Sequence, residues 1–275
     1  MQKLTEYKQN LHTHTRYCDG NNTAEEMILR AIELGFDTLG FSGHSYLGFE
    51  MSWTMSAEGT EKYKAEIREL KKKYASRINV LCGLEYDMYS QTPIEGYDYL
   101  IGSCHGFYMN GTRVECDSNI ESVKQDIKEF FGGDGMKYAK EYYRNMAKLY
   151  DYGDFDVVGH FDLLTKYCEQ EELFDVNSLE YKNAALEALH ALSSGRGVFE
   201  INTGAISRGY RTTPYPAPFL LKEMKTLGCR VILTSDCHDK NFLDCEYKNS
   251  LEFIRACGFD SVCVWENGGF CEVGI

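Results

Sequence analysis

The sequence has no run of about 18 apolar residues, the length that a membrane-spanning helix needs. Residues 1–7 are mostly polar and contain none of the apolar core that marks a signal peptide. These two absences predict a soluble protein that is not secreted and does not bind a membrane. We therefore expect it in the cytoplasm.

Cysteine pairs of the Cys-x-x-Cys type are also missing, although the chain has 11 cysteines among its 275 residues. Scattered cysteines in a chain of this length argue against a disulfide framework and against a thiolate zinc site. They favour free thiols in a reducing compartment.

Positive charge is scarce, since 29 Lys and Arg stand against 42 Asp and Glu, for a net charge of −13. Nucleic-acid affinity rests largely on cations that neutralise phosphates. The net negative charge therefore argues against a nucleic-acid partner and favours a small substrate, and it suits one that carries positive charge. The oligomeric state is left open.

No linker, low-complexity tract or internal repeat divides the chain, so we expect one domain over residues 1–275. Short apolar runs alternate with helical patterns along it. The predicted strands are residues 9–14, 38–42, 78–85, 97–103, 156–160, 197–202 and 230–235. The predicted helices are residues 23–34, 58–74, 118–131, 136–150, 178–193 and 216–227.

Two of these helices have capping-box spacing at their starts, Thr23 with Glu26 and Ser118 with Glu121. Seven strands separated by helices indicate a parallel α/β sheet, and a closed barrel accounts for so many repeats in one undivided chain. In such barrels the chemistry lies at the carboxyl ends of the strands.

Six of the seven histidines lie at or just past the ends of those strands. His12 and His14 end the first strand, and their two-residue spacing points both rings to one face. The other candidate ligands at strand ends are Asp19, His44, Glu85, His105, His160, Asp236 and His238. Only His190 lies inside a predicted helix, where we expect a structural role.

Mixed imidazole and carboxylate ligands suit zinc, iron or manganese and leave coordination positions open. Nine ligands exceed the needs of one ion. Two or three divalent ions that share a bridging carboxylate would use them all.

These motifs resemble the polymerase and histidinol phosphatase (PHP) superfamily of metallophosphoesterases over essentially the whole chain. The matching segments are His12-Thr-His14-Thr with Asp19-Gly20, Gly43-His44, Gly83-Leu84-Glu85, Ser103-Cys104-His105, Gly159-His160 and Ser235-Asp236-Cys237-His238. The resemblance implies a distorted seven-stranded (β/α)7 barrel with a metal cluster at the carboxyl ends of the strands.

The resemblance also implies roles for these residues. His12, His14, Glu85 and Asp236 would hold a first metal ion. Glu85, as the bridge, would hold a second with His105 and His160. Asp19, His44 and His238 would hold a third ion. Glu85, Asp236 and His238 are the residues we expect to be catalytic.

The segments that contain Glu200 to Pro216 and Gly159 to Lys166 are similar to the histidinol-phosphate phosphatase branch. This branch hydrolyses L-histidinol phosphate to L-histidinol and phosphate in histidine biosynthesis. Its basic residues after the fifth and sixth strands bind the substrate phosphate, which implies that role for Arg208 and for Lys166. Arg211 is a further candidate.

Two alternatives remain open at this point. One is a phosphodiesterase or 3′–5′ exonuclease, because PHP domains attached to DNA polymerases have similar metal motifs. The other is a non-catalytic metal-binding regulatory domain, which the complete set of nine ligands argues against. The aromatic-rich residues 45–53 are a candidate lid over the site. Gly132 to Gly135 lacks the Lys-Ser/Thr of a P-loop and is expected to be a turn between helices.

Overall fold

The apolar runs of the chain form a seven-stranded parallel sheet in a computed structural model that describes residues 8–275. The strand order is β1-β2-β3-β4-β7-β8-β9, and each neighbouring pair is parallel. The described strands are β1 (Gln9–Asn10), β2 (Thr38–Phe41), β3 (Asn79–Asp87), β4 (Tyr99–Ser103), β5 (Gly106–Met109), β6 (Thr112–Glu115), β7 (Val157–Val158), β8 (Val198–Asn202), β9 (Val231–Thr234), β10 (Ser261–Glu266) and β11 (Gly269–Gly274).

Helices connect most of the sheet strands and cover the outside of the sheet. The described helices are α1 (Ala24–Glu33), α2 (Ala57–Tyr74), α3 (Ile120–Phe131), α4 (Gly135–Met146), α5 (Leu179–Ser193), α6 (Gly204–Ser207), α7 (Pro218–Thr226) and α8 (Tyr247–Ala256). No helix within residues 8–275 is both long and apolar enough to cross a membrane.

The first and last strands of the sheet meet just beyond their carboxyl ends. Thr13 and Cys237 form a parallel bridge, in which His14 N donates to Cys237 O at 2.9 Å and Cys237 N donates to His12 O at 3.0 Å. The sheet is therefore a nearly closed barrel of seven strands, which confirms the expected architecture.

All seven predicted strands and all six predicted helices are present, with shifted ends. The first and fifth predicted strands are shorter than expected, so His12, His14 and His160 follow these strands and do not end them. The capping box of Thr23 and Glu26 forms as predicted. The one predicted at Ser118 is wrong, because Asn119 is the N-cap and its side chain accepts from Ser122 N at 3.0 Å. Asn119 can be the N-cap in place of Ser118 because its side-chain oxygen reaches a free backbone amide in the first turn of the helix.

The segment Gly132 to Gly135 is the predicted turn between helices. Gly132 ends α3 in the left-handed region at φ +65°, and the Asp134 side chain caps α4. His190 lies on the outer face of α5, where its Nε2 is 2.8 Å from Glu223 Oε1. It is remote from the other histidines, as expected.

Two β-hairpins were not predicted. Strands β5 and β6 form one directly after β4, and β10 and β11 form the other at the end of the chain. The second hairpin lies at the amino ends of the barrel strands, where Trp265 N donates to Gln9 Oε1 at 2.8 Å and the Trp265 ring lies 6.0 Å from Tyr99. The β10–β11 hairpin therefore covers the amino-terminal end of the barrel, and the carboxyl-terminal end is left to hold the histidine and carboxylate side chains.

Candidate metal centre

The carboxyl ends of the barrel strands bring all nine predicted ligands into one cluster. Most of them are buried, and Asp19 and His238 lie at its solvent side with side chains 31% and 18% exposed. Three sets of side chains have ligand atoms within 4.8 Å of one another. These sets are His14, Asp19, His44 and His238; His12, His14 and Asp236; and His44, Glu85 and His105.

Glu85 is at the centre of the cluster, and its two oxygens face different histidines. Oε2 lies 2.8 Å from His44 Nδ1 and 3.2 Å from His12 Nε2. Oε1 lies 2.9 Å from His160 Nε2 and 3.2 Å from His105 Nε2. A carboxylate with histidines on both oxygens has the arrangement that a bridge between two cations requires.

Asp236 faces both the cluster and the solvent side of it. Its Oδ1 lies 3.1 Å from His14 Nε2, and its Oδ2 accepts from Arg208 at 3.2 Å. The backbone of Asp236 is in the left-handed region at φ +45°, which Asp tolerates better than most residues. A Cβ at Gly204 would come within 2.8 Å of this carboxylate, so only glycine leaves it room.

The chemistry of these donors fits bound metal ions. Four buried atoms that face one another in the cluster make no hydrogen bond of regular geometry: His12 Nε2, His14 Nε2, His44 Nδ1 and Glu85 Oε2. Buried polar atoms without partners are costly, and cations shared between imidazoles and carboxylates would satisfy those that face one another.

Electrostatics in the cluster couple the histidines to the carboxylates. Burial opposes a charge on His12, but Glu200, Glu85 and Asp236 outweigh it and raise the pKa of His12 well above its usual value. The pKa values of His44 and His105 are raised for the same reason, mainly by Glu85. Burial and the neighbouring histidines instead lower the pKa of His14 to about 3.

Three residues next to the cluster were missed by sequence reasoning. Glu200 in β8 contacts His12 Nδ1 at 2.5 Å. Asp87 at the end of β3 has Oδ2 3.3 Å from His105 Nδ1, and Arg113 of β6 donates to both Asp87 oxygens at 3.2 and 2.9 Å. A signal existed for Glu200, because it is an acidic residue inside the apolar run of a predicted strand.

A cavity of about 520 Å³ opens above the cluster. Arg208 lies on its wall, where its Nη1 is 2.9 Å from His238 Nδ1. Lys166 also reaches the wall, but its Nζ donates to Asp117 O at 2.6 Å and lies 4.7 Å from the Tyr210 ring centre.

Arg211 does not line this cavity. Its Nη1 donates to Thr165 O at 3.1 Å, and its guanidinium lies 4.6 Å from the ring of Tyr215. These contacts hold Arg211 in the loop after β8, away from the cavity wall.

Residues 45–53 form part of the cavity wall. Trp53 lies edge-on to His44 at 4.9 Å and 5.2 Å from His105, and Met51 and Ser52 line the cavity beside it. The aromatic ring thus covers two of the clustered histidines from the solvent side.

A family model for the PHP domain matches residues 10–204, which is well over half of the chain. The chain belongs to the PHP domain family. The matched range contains seven of the nine clustered side chains, and the barrel geometry adds Asp236 and His238.

Named relatives of this PHP protein match it along nearly their whole length. A "Probable histidinol-phosphatase" of Schizosaccharomyces pombe is 25% identical in an alignment that covers 94% of this chain and 89% of the relative. A "Histidinol-phosphatase" of Bacillus subtilis is 25% identical in an alignment that covers 89% of this chain and 98% of the relative.

A solved structure has the same fold as this PHP protein. It is a histidinol phosphate phosphatase from Lactococcus lactis complexed with zinc, L-histidinol and phosphate. The two chains are 19% identical, with a TM-score of 0.73 over 96% of this chain and 98% of the other. At that identity the likeness is evidence for the barrel fold.

Proposed function

We propose that this protein is a metal-dependent phosphoric monoester hydrolase that converts L-histidinol phosphate and water to L-histidinol and phosphate. The observation that carries the proposal is the buried histidine and carboxylate cluster at the floor of a cavity whose wall bears Arg208. The names of full-length relatives support the choice of substrate.

The proposed metal ligands divide into three groups, two of which share Glu85 as a bridge. His12, His14 and Asp236 would hold one ion with Glu85, and His105 and His160 would hold a second with it. Asp19, His44 and His238 would hold a third. When bound, zinc, iron or manganese ions supply Lewis acidity, which neutralises phosphoryl charge and provides hydroxide near neutral pH.

The chain's own side chains bind and orient the substrate. Arg208 is the proposed clamp for the phosphate, because its guanidinium is on the cavity wall next to Asp236 and His238. A guanidinium binds two phosphate oxygens at once with a fixed geometry. Lys166 is the second proposed phosphate ligand and would have to leave Asp117 O to make that contact.

Glu85, Asp236 and His238 are the proposed catalytic residues, because they would hold the metal ions at the floor of the cavity. Asp236 and His238 line the cavity, and Asp236 presents Oδ2 to Arg208 while Oδ1 faces His14. These contacts would join the metal ligands to the proposed phosphate clamp.

The rest of the cavity wall suits the amine and imidazole of the proposed substrate. Glu115 and Asp117 supply carboxylates to it, and Trp53, beside the clustered histidines, supplies an aromatic face. Residues 45–53 would exclude water from the cavity when substrate is bound.

The test is steady-state hydrolysis of L-histidinol phosphate against a panel of sugar phosphates, nucleotides and short DNA. We expect the highest kcat/KM for L-histidinol phosphate, two to three metal equivalents in the active protein and loss of activity on chelation. Glu85→Gln keeps the side chain's size and removes the bridging charge, so it should be folded and nearly inactive. Preference for DNA ends would support the exonuclease alternative and contradict the proposal.

A further inference from the structure

Glu200 is a buried carboxylate in the middle of the barrel wall, 1% exposed, with apolar Phe199 and Ile201 beside it in β8. It belongs to none of the three sets whose ligand atoms lie together. A buried charge is costly unless it is fully hydrogen-bonded. The groups that donate to Glu200 therefore indicate its role.

Four nitrogen or oxygen groups face the Glu200 carboxylate. Thr234 Oγ1 donates to Oε1 at 2.7 Å, and His12 Nδ1 lies 2.5 Å from the same oxygen. His160 N donates to Oε2 at 2.7 Å, and Asn202 Nδ2 donates to it at 2.9 Å. The contacts connect β8 and β9 with the segments that directly follow β1 and β7.

The orientation of the Asn202 amide is fixed, because its Oδ1 accepts from Gly204 N at 2.8 Å. The backbone N–H of His160 can only donate. Glu200 is therefore surrounded by donors, and an ionised carboxylate accepts at both oxygens.

Metal binding requires a neutral His12 ring, and the one proton of that ring is then on Nδ1, since this nitrogen faces an acceptor at 2.5 Å. The other nitrogen, Nε2, presents its lone pair to the cluster, 3.2 Å from Glu85 Oε2 and 3.7 Å from Asp236 Oδ1. Such an outer carboxylate orients a metal-binding imidazole and makes it more basic.

We propose that Glu200 is a positioning residue, which fixes the tautomer and ring orientation of His12 and so sets the affinity of the metal cluster. This inference rests on the ligand role proposed for His12 and is independent of the substrate.

The test compares Glu200→Gln with wild type and with Glu223→Gln. Glutamine has the same shape as glutamate, but its NH₂ group would replace one of the two carboxylate oxygens and would face the donors that this oxygen accepts from. The proteins are loaded with Zn²⁺ and titrated with a chelator that sets the free Zn²⁺ concentration. We expect Glu200→Gln to release at least one metal equivalent at a free Zn²⁺ concentration about 10- to 100-fold higher than wild type. Glu223→Gln removes an equivalent contact with His190 on the surface and should retain metal like wild type.

Two further measurements separate positioning from a general loss of structure. In the Zn²⁺-loaded wild type, the His12 Nδ1 proton should give a downfield, exchange-protected NMR signal that Glu200→Gln lacks. Glu200 does not line the cavity, so kcat should fall with little change in KM, and added Zn²⁺ should restore part of it.

Unchanged metal retention in Glu200→Gln, or an equal loss in Glu223→Gln, would overturn the inference. If Glu200→Gln does not fold, Thr234→Val is tested in its place, because the Thr234→Val change removes one hydrogen-bond donor to Glu200 Oε1. A loss of metal affinity of roughly 5-fold, as for one neutral hydrogen bond, is then expected, and no loss overturns the inference. The metal measurements use no substrate, so their outcome is separate from the proposed activity.

Discussion

At the scale of single residues, Arg208 is the proposed phosphate ligand and also contacts the proposed metal ligands Asp236 and His238. Arg208→Ala should remove a charged hydrogen bond to the phosphate, and kinetics at saturating metal separate this effect from any loss of metal. Such bonds contribute about 1.5–3 kcal/mol, a roughly 10- to 150-fold loss in kcat/KM. The loss should appear in KM if the contact is equally strong in the ground and transition states.

Arg211→Ala is the matched control, since Arg211 contacts Thr165 and Tyr215 and lies outside the cavity wall. Its effect should be on stability, with kcat/KM of the folded protein close to wild type. Unchanged efficiency of Arg208→Ala with L-histidinol phosphate would remove Arg208 from the proposed site.

At the scale of elements, the hairpin of β5 and β6 supports the cluster without supplying a ligand to it. Its Arg113 is 8% exposed in the side chain and binds the buried Asp87 through both Nη atoms. Asp87 in turn lies 3.3 Å from His105 Nδ1. The hairpin therefore holds a carboxylate in place behind one of the proposed ligands.

Arg113→Met keeps most of the side-chain volume and leaves Asp87 as a buried carboxylate without a cation. Breaking a buried pair costs about 3–5 kcal/mol, which chemical denaturation should detect as a lower free energy of unfolding. Lys71→Met is the control, because Lys71 pairs with Asp98 at 2.9 Å near the surface and should contribute at most about 1 kcal/mol. Equal losses in the two variants would show that the hairpin pair has no special role.

At the scale of the whole molecule, metal binding should be coupled to pH. The carboxylates raise the pKa values of His12, His44 and His105 in the metal-free protein, which favours the protonated form of these rings. Metal ions bind the unprotonated imidazole and therefore displace those protons. His14 has a lowered pKa and should release none.

The same pKa shifts determine whether the metal-free protein becomes more or less stable as the pH rises. A raised pKa stabilises the metal-free fold below the unfolded value of about 6.5, and that contribution is lost as the pH rises through the folded pKa. Bound metal replaces the lost protons, so we expect the metal-induced increase in Tm to grow with pH. Calorimetric Zn²⁺ titrations in two buffers of different ionisation enthalpy should show net proton release at pH 7. Identical heats in both buffers would contradict the coupling.

Local patterns were enough to predict the barrel strands, the principal helices and the nine clustered side chains. Period-two and helical spacing act over a few residues, and the carboxyl ends of parallel strands must meet at one end of a barrel. The two missed hairpins also had a local signal. Asn110-Gly111 and Asn267-Gly268 join their strands with positive φ at both residues, as a type I′ turn requires.

Sequence by itself determined the element types and which residues could bind metal, because both depend on side-chain chemistry and short spacings. Only the tertiary structure decided the partners of those residues. Glu200 reaches His12 across 188 positions, and Arg113 reaches Asp87 across 26. No periodicity in the chain encodes such contacts, since they arise from the closure of the barrel and from where each strand ends within it.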